Sequence, residues 1–329
     1  MSRKREDYLY LSAMLRARES AMLSAEKAER LLDAPGFAEC AKLLTDCGYE
    51  DLSEADAAGL DAALSRRRTE IFHELSLQEP ARTIVDLFRV KYDYHNAKTV
   101  LKAEAMASDP LPLMSEAGRV APEALLNAYR EERERDLPAP LAEALREGKE
   151  ILARSANPQL SDFALDRAYF EELSALSAET ENDFLRGYVS ILADSTNLKS
   201  AVRTLRMGKS ADFLRLALVP GGRVDAERFA AAGAEGLGAL FAGSALADAA
   251  ARGVEAAQGG ELTGFERACD NAVTDYLRGA KLKSFGAEPV AAYLAALENE
   301  ITAVRMILTG KLAGIAPQTI RERLRDLYA

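Results

Sequence analysis

Cysteine and histidine are scarce in this sequence. The only thiols are those of Cys40, Cys47 and Cys269, the only imidazoles those of His73 and His95, and no two cysteines stand in a C-x-x-C spacing. An odd cysteine count without that spacing argues against a disulfide framework, and so few soft ligands argue against a zinc centre. Long apolar runs are missing too. The best candidate, Gly236 to Leu246, is rich in Gly and Ala and falls well short of the roughly 18–20 residues that cross a bilayer. No direct membrane span is expected. The chain opens on basic residues, but Asp7, Arg16, Arg18 and Glu19 interrupt any apolar stretch of the kind a signal peptide needs, which predicts a cytoplasmic protein. Positive charge is also in deficit: 42 Lys and Arg stand against 52 Asp and Glu, a net charge of −10. The cations are interleaved with carboxylates, whereas a surface that grips a phosphate backbone concentrates them, so nucleic acid is not an expected partner. Finally, strand-like alternation of Val, Ile, Thr and aromatics is hard to find, while helical periodicity runs almost throughout, and the fold class is read as all-α.

What is present supports real cores. The hydrophobic fraction is 48%, with 29% charged residues interspersed, the composition of a folded chain. At 329 residues the chain exceeds the roughly 250–300 residues at which single cores stop growing, so two or three units or a repeat array are expected. Tyr8, Leu11, Leu15 and Met22 fall on one face of an opening helix. Prolines punctuate the helices, and the segments Leu137 to Pro140 and Val219 to Gly222 read as junctions.

Self-similarity is the most informative feature. Asp93-Tyr-His-Asn96-Ala-Lys98-Thr-Val-Leu101 matches Asp194-Ser-Thr-Asn197-Leu-Lys199-Ser-Ala-Val202. A third stretch, Glu300-Ile-Thr-Ala303-Val-Arg305-Met-Ile-Leu308, keeps the acid, the base and the apolar end but has Ala303 in place of Asn. The acids are 101 and 106 residues apart. Gly118-Arg-Val120 after the first motif matches Gly222-Arg-Val224 after the second, with Gly314-Ile-Ala-Pro317 a candidate third copy. Upstream, Asp166-Arg-Ala168-Tyr-Phe-Glu171-Glu-Leu173 matches Asp270-Asn-Ala272-Val-Thr-Asp275-Tyr-Leu277. A period near 100 residues is long enough for each unit to hold its own helical core. Three similar bundles are expected over residues 1–130, 131–235 and 236–329, the N-terminal helices being able to complete the third.

Within each motif the i, i+3 spacing places Asp and Asn on one helix face beside an apolar stripe. A metal or acid/base site is conceivable there, but a buried polar contact that fixes neighbouring helices is the better reading, because buried polar groups normally find protein partners. Lys98, Lys199 and Arg305 lie five residues after their acids, roughly 140° around the helix, and so do not pair with them within the same helix. They face either an acid on the next unit or a partner. Gly208-Lys209-Ser210 resembles the end of a phosphate loop, yet Arg203 occupies the place of its first glycine. His73-Glu74 opens like a zincin motif, yet Leu77 stands where the second His belongs. Glu70 and His73 form one Glu-x-x-His pair with no second to complete a di-metal bundle. Cys40 and Cys47 read as small core side chains, and Arg16, Arg18 and Arg66 to Arg68 as solvated faces. No cofactor and no metal is expected.

The sequence resembles a known family, the C subunits of the V-type (archaeal and bacterial A/V-type) ATPases, counterparts of the d subunit of the eukaryotic enzyme. The resemblance rests on the opening helix with Tyr10, Arg16 and Arg18, the segment Leu43-Leu-Thr-Asp46-Cys-Gly-Tyr49, the two Asp-x-x-Asn-x-Lys motifs and the C-terminal run from Glu300 to Gly314. It covers nearly the whole chain, and Ala303 departs from the family's more frequent Asn. The resemblance implies a pseudo-threefold funnel of helical units that catalyses nothing. Such a funnel sits on the cytoplasmic face of the proteolipid rotor ring, receives the central-stalk subunits and passes torque between them. It also implies that some of the N-terminal arginines meet acidic loops of ring or stalk. Without the resemblance, the residues suit a general α-helical adaptor binding a partner helix in an apolar groove, or, less well, an all-α enzyme with poised carboxylates.

If Asn96 and Asn197 fix equivalent buried contacts, Asn96→Leu and Asn197→Leu each lower stability by about 1–3 kcal/mol. Thermal melts of the two variants check this, and unchanged midpoints in both would remove the structural account of the motif.

Overall fold

The computed structural model describes residues 5–329; the basic start at Arg3 and Lys4 lies outside them. Among the described residues the chain is wholly helical, with fifteen α-helices joined by loops and short 3-10 turns. It divides into two compact units. One comprises the chain up to Arg82 together with 243–252 and 260–329, and the other comprises 83–242 and 253–259.

The unit that holds both chain ends contains α1 (Leu9–Glu19), α2 (Ala25–Asp33), α3 (Phe37–Leu43) and α4 (Ala57–Ser76) from the N-terminal side. The second unit contains α5 (Arg82–Met106, all but its first residue), α6 (Pro122–Arg130), α7 (Ala139–Ser155), α8 (Pro158–Glu179), α9 (Asp183–Arg206), α10 (Ala211–Ala217) and α11 (Ala226–Leu240). After α12 (Ala247–Ala257), whose residues are divided between the two sets, the chain returns to the first unit with α13 (Leu262–Arg278), α14 (Ala287–Leu312) and α15 (Pro317–Arg323).

In the first unit α14 is the axis. Ala- and Leu-rich over 26 residues, it has strong helix propensity, and Glu288 and Pro289 suit its first turn. Its residues from Pro289 to Leu297 are all buried, so it is apolar on every side at this level, as a central helix must be. Small alanines there let α1, α4 and α13 pack against it, and Leu11, Leu15, Leu64, Leu75, Ile301 and Val304 fill the core. The expected stripe on α1 is only partly helical. Tyr8, Leu11, Leu15 and Met22 are all buried, but Tyr8 belongs to a preceding 3-10 turn. Met22 lies beyond the helix end, where Met22 N–H donates to Glu19 O in a tight turn and Ser24 caps α2.

In the second unit α8 runs antiparallel to α5: Tyr94, Lys98 and Lys102 pair with Glu172, Asp166 and Asp162 in turn, in opposite chain directions. The short turn at 180–182 then folds α9 back along α8, with Asn182 capping the Leu185 N–H at 3.1 Å. Both α5 and α9 oppose α8, so they run parallel to each other. Phe88 and Tyr188 stack between them at 5.8 Å. The segment Leu137 to Pro140 lies inside this unit, at the start of α7.

All three motif helices end alike. The residue in the left-handed conformation is Ala107 after α5, Gly208 after α9 and Gly314 after α14. The next N–H reaches back five residues in each case: Ser108 to Ala103 O, Lys209 to Thr204 O and Ile315 to Gly310 O, at 2.9, 3.1 and 2.9 Å. These are Schellman closures, and each left-handed residue stands fourteen positions after its acid. Gly208-Lys209-Ser210 therefore closes one helix, and Ser210 opens the next by capping Phe213 N–H at 3.2 Å.

Close packing in the second unit depends on Gly148 in α7. A Cβ there would lie 2.8 Å from Leu101 and 3.2 Å from Leu165, and the Gly148 carbonyl accepts Ser161 Oγ at 3.0 Å. Gly148→Val forces three helices apart and is expected to cost about 1–3 kcal/mol; a urea titration showing an unchanged midpoint would contradict this packing.

Candidate functional site

The motif residues of α5 are fully buried, at 0% exposure for both Asp93 and Asn96. Their partners lie on the loop that follows the helix and returns along it. The Asn96 side chain pairs with the backbone of Ser115 in both directions, its Nδ2 donating to Ser115 O and its Oδ1 accepting Ser115 N–H, each at 2.8 Å. Asp93 Oδ1 accepts the N–H groups of Arg119 and Val120 at 2.8 and 3.1 Å, and Oδ2 accepts Arg119 Nε at 2.6 Å. Arg119 then reaches α8, where its Nη1 stands 2.8 Å from Glu172, while Tyr94 Oη donates to the other oxygen of Glu172 at 2.9 Å. Burial drives the Asp93 carboxyl above its ordinary pKa, against the opposing pull of Arg119 and the two backbone donors.

The same clasp recurs on α9. Asn197 pairs in both directions with the backbone of Val219 at 2.8 Å, and Asp194 accepts the N–H groups of Arg223 and Val224 at 3.1 and 3.2 Å. Val219 to Gly222, read as a junction, is thus pinned to α9. The clasp explains the shared Gly-Arg-Val. A Cβ on Gly118 would lie 2.5 Å from Asp93 Oδ1, and one on Gly222 would collide with Asp194 Oδ1. Glycine here allows a carboxylate to approach two successive backbone N–H groups. Asp194 lacks the buried arginine that Asp93 has, since Arg223 is exposed, and burial again raises its carboxyl.

The third copy is built differently. Glu300 on α14 is 1% exposed, and its partners come from the start of the chain: Leu23 N–H at 2.6 Å and Tyr49 Oη at 2.8 Å. Arg67 on α4 lies 3.7 Å from the carboxylate and 3.9 Å from the Tyr49 ring centre. Gly314 follows Glu300 by only fourteen residues and closes the helix, so it is no counterpart of Gly118 or Gly222. Ala303 supplies no amide, and the longer Glu side chain reaches the N-terminal segment. Burial raises the Glu300 carboxyl above its usual range, outweighing Leu23, Tyr49 and Arg67.

Of the motif cations, Lys98 pairs with Asp166 on α8 and Arg305 with Asp61 on α4 at 2.7 Å, while Lys199 is half-buried on α9. The arginines read as solvated faces are mostly engaged instead. Arg16 donates to the carbonyls of Ala280 and Lys283 at 2.6 and 3.0 Å, and Arg18 forks onto Glu74 at 2.9 and 2.6 Å. Arg68 is buried against Glu298 at 2.8 Å, and Arg67 bonds the Gly48 and Cys47 carbonyls. The physical reason is that the guanidinium forks of Arg16 and Arg67 satisfy loop and helix-end carbonyls that have no helical partner, while those of Arg18 and Arg68 meet carboxylates on other helices. Glu70 and His73 are both exposed on α4. Cys40 and Cys47 are buried, and burial pushes the Cys40 thiol up to about 11. The sequence reading did not single out Arg119, Glu172 and Leu23, and it named Tyr49 only as the end of a segment that carries the resemblance, with no contact assigned to it. Arg119 and Glu172 lay within matched segments, whereas the Leu23 backbone donor left no trace in side-chain pattern.

The profile of the ATP synthase (C/AC39) subunit family matches residues 11–323, and the chain belongs to that family. The C subunit of the V-type sodium ATPase of Enterococcus hirae is 23% identical over 326 residues, covering 98% of this chain and 99% of that one. The C subunit of the A-type ATP synthase of Methanocaldococcus jannaschii is 25% identical, covering 97% of this chain and 86% of its own length. That of Haloferax volcanii is 27% identical, with 96% of each chain covered. Among the described residues no helix is long and apolar enough to cross a membrane.

Glu300 gives a pH test. Its folded pKa lies above its unfolded value, so its contribution to stability is full below about pH 4.5 and is lost as pH rises through the folded value. Glu300→Gln keeps an acceptor for Leu23 and does not titrate. Its stability relative to the parent chain is expected to rise between pH 4.5 and 8, by about 1.4 kcal/mol for each unit of the shift. Chemical denaturation of both proteins across that range checks it, and parallel curves would contradict a raised Glu300.

Proposed function

We propose that this chain is a non-catalytic rotor subunit of a V-type ATPase or ATP synthase, joining the proteolipid ring to the central stalk and passing torque between them during ATP-linked proton or sodium transport. The observation that carries the reading is the end-to-end correspondence with named C subunits, 98% of this chain against 99% of the Enterococcus hirae protein. The internal construction supports it. A torque element must resist deformation, and here buried carboxylates and amides lock each return loop of α5 and α9 to its helix, with glycine admitting no slack. On this reading Asp93, Asn96, Lys98, Asp194, Asn197, Lys199, Glu300 and Arg305 are structural, and no cofactor or metal is needed. The protein is peripheral on the cytoplasmic face of the membrane, held there through the complex. Three units over 1–130, 131–235 and 236–329, the last completed by N-terminal helices, form the funnel. The contact of Glu300 with Leu23 and Tyr49 supports that completion.

A tagged pull-down from membranes solubilised in mild detergent, read by mass spectrometry, tests the proposal. Recovery of both a proteolipid and central-stalk subunits is the expected result. Recovery of the chain alone, or with an unrelated soluble protein, would overturn it in favour of a helical adaptor.

A further inference from the structure

In the first unit the chain stops being helical beyond α15. Leu324 turns to extended backbone (φ −65°, ψ 140°), and the residues from there to Ala329 form a strap without regular structure. The strap lies along α13 and runs in the same direction, since its contacts follow one another in order. Arg267 donates to Glu322 O at 2.8 Å, Asp270 accepts Arg325 Nε at 2.9 Å, Asn271 Oδ1 accepts Asp326 N–H at 2.9 Å, and Arg278 donates to Leu327 O at 2.6 Å. All but the Arg325 contact go to main-chain groups, which any sequence presents. Selectivity lies in one side chain. Tyr328 is 3% exposed and is the only buried residue between Arg321 and Ala329. Its hydroxyl accepts Arg16 Nη1 of α1 at 3.4 Å, and Lys281, in the 3-10 turn Gly279–Leu282, stands 4.8 Å from its ring centre.

Main-chain hydrogen bonds together with one pocketed side chain are the means by which folded proteins hold extended peptides. The site does not need the strap in order to exist. Arg16 keeps the Ala280 and Lys283 carbonyls and the Glu19 carboxylate without Tyr328, and α13 keeps its own helical ladder. Beside the strap is open space: a cavity of about 290 Å³, lined by Ala249, Arg252, Asn271 and Asp326 among others, borders it, and Asp326 itself is exposed. Withdrawal of the strap therefore gives up one buried ring and a few hydrogen bonds at the surface, whereas opening α14 gives up the core.

We propose that the face of α13 from Arg267 to Arg278, with the pocket of Tyr328 at its end, is a binding site for an extended peptide with an aromatic anchor. Residues 324–329 are its resident occupant, a strap that leaves and returns while the rest of the unit stays folded. The tether accounts for the closed state, because an attached segment faces its site at an effective concentration in the millimolar range and fills even a weak one. Neither the site nor the strap depends on the rotor reading.

The test uses the full chain and a fluorescent peptide with the sequence of Glu322–Ala329, followed by anisotropy. Tyr328→Ala unseats the strap, and this variant is expected to bind the peptide about tenfold or more tightly than the parent chain, whose site is filled in cis. A peptide with alanine at the tyrosine position is expected to lose that binding. No binding by the folded variant, equal binding by variant and parent, or equal binding of the two peptides would each overturn the proposal. Amide hydrogen exchange of the parent chain, read by NMR, needs no variant. The Asp326 N–H is expected to exchange about tenfold or more slowly than a free peptide amide, and about a hundredfold or more faster than the amides of the buried stretch Val290–Leu297 of α14. Exchange at the free rate would mean that the strap is not seated, and exchange at the rate of α14 that it opens only with the whole unit; either result would overturn the proposal.

Discussion

Everything in the second unit hangs on carboxylates that have been taken out of water. An ionised Asp at the centre of a helical bundle is tolerated only if donors replace its hydration, and helical N–H groups are already committed to the helix. Asp93 and Asp194 resolve this by turning to a loop whose N–H groups would otherwise lack partners in the same interior. Each requirement satisfies the other. The loop gains acceptors, the carboxylate gains donors, and glycine at 118 and 222 removes the one atom that would keep them apart. Asn96 and Asn197 add a second point of attachment one turn further along, so each loop is held at two places and cannot rotate about either.

How much each clasp adds to stability is a separate matter from what it specifies. Burying the Asp93, Arg119 and Glu172 charges costs desolvation that their attraction only partly offsets, and an apolar substitute of similar shape would pack as well. An apolar contact, however, tolerates sliding by a fraction of a turn, whereas an amide facing one carbonyl and one N–H admits a single register. What the clasp contributes is therefore one register for each return loop more than net free energy.

The parts legible in the sequence were those written in side chains and repeated. Helical period, the Asp-x-x-Asn spacing and Gly-Arg-Val were visible, because a feature that recurs about 100 residues later separates itself from chance. The parts that were not legible involve backbone groups. Nothing in the residue Leu23 announces that its N–H meets Glu300, 277 positions away, and nothing in Ala280 announces that its carbonyl takes Arg16. For the same reason Arg16 and Arg67 looked solvated: they donate to main-chain oxygens, which any residue supplies, whereas Arg18 and Arg68 meet carboxylates, Glu74 and Glu298, that are remote in sequence. The partner of the Asp-Asn pair was misplaced onto a helix, since an i, i+3 pattern tells which face a residue occupies and not whether a loop or a helix covers that face.

The third copy shows which part of the design is indispensable. It has lost the asparagine, and its helix closes without a long return loop, yet it keeps an acid at the equivalent position and buries it as deeply as the others. With no loop of its own to accept, Glu300 takes the N–H and hydroxyl that α14 meets in the N-terminal segment, and the extra methylene of Glu over Asp provides the reach. The acid therefore does in this unit what the chain does by continuity in the other. It fastens a segment to the motif helix, here one that is remote in sequence, so that the opening helices of the chain are held by the same kind of bond that elsewhere holds a loop. The segment from α1 to α4, itself tied together by Arg18 and Glu74, is thus fastened to α14 at Leu23, Tyr49 and Arg67 by contacts between residues far apart in sequence, which is what joins the N-terminal stretch of this unit to its C-terminal one.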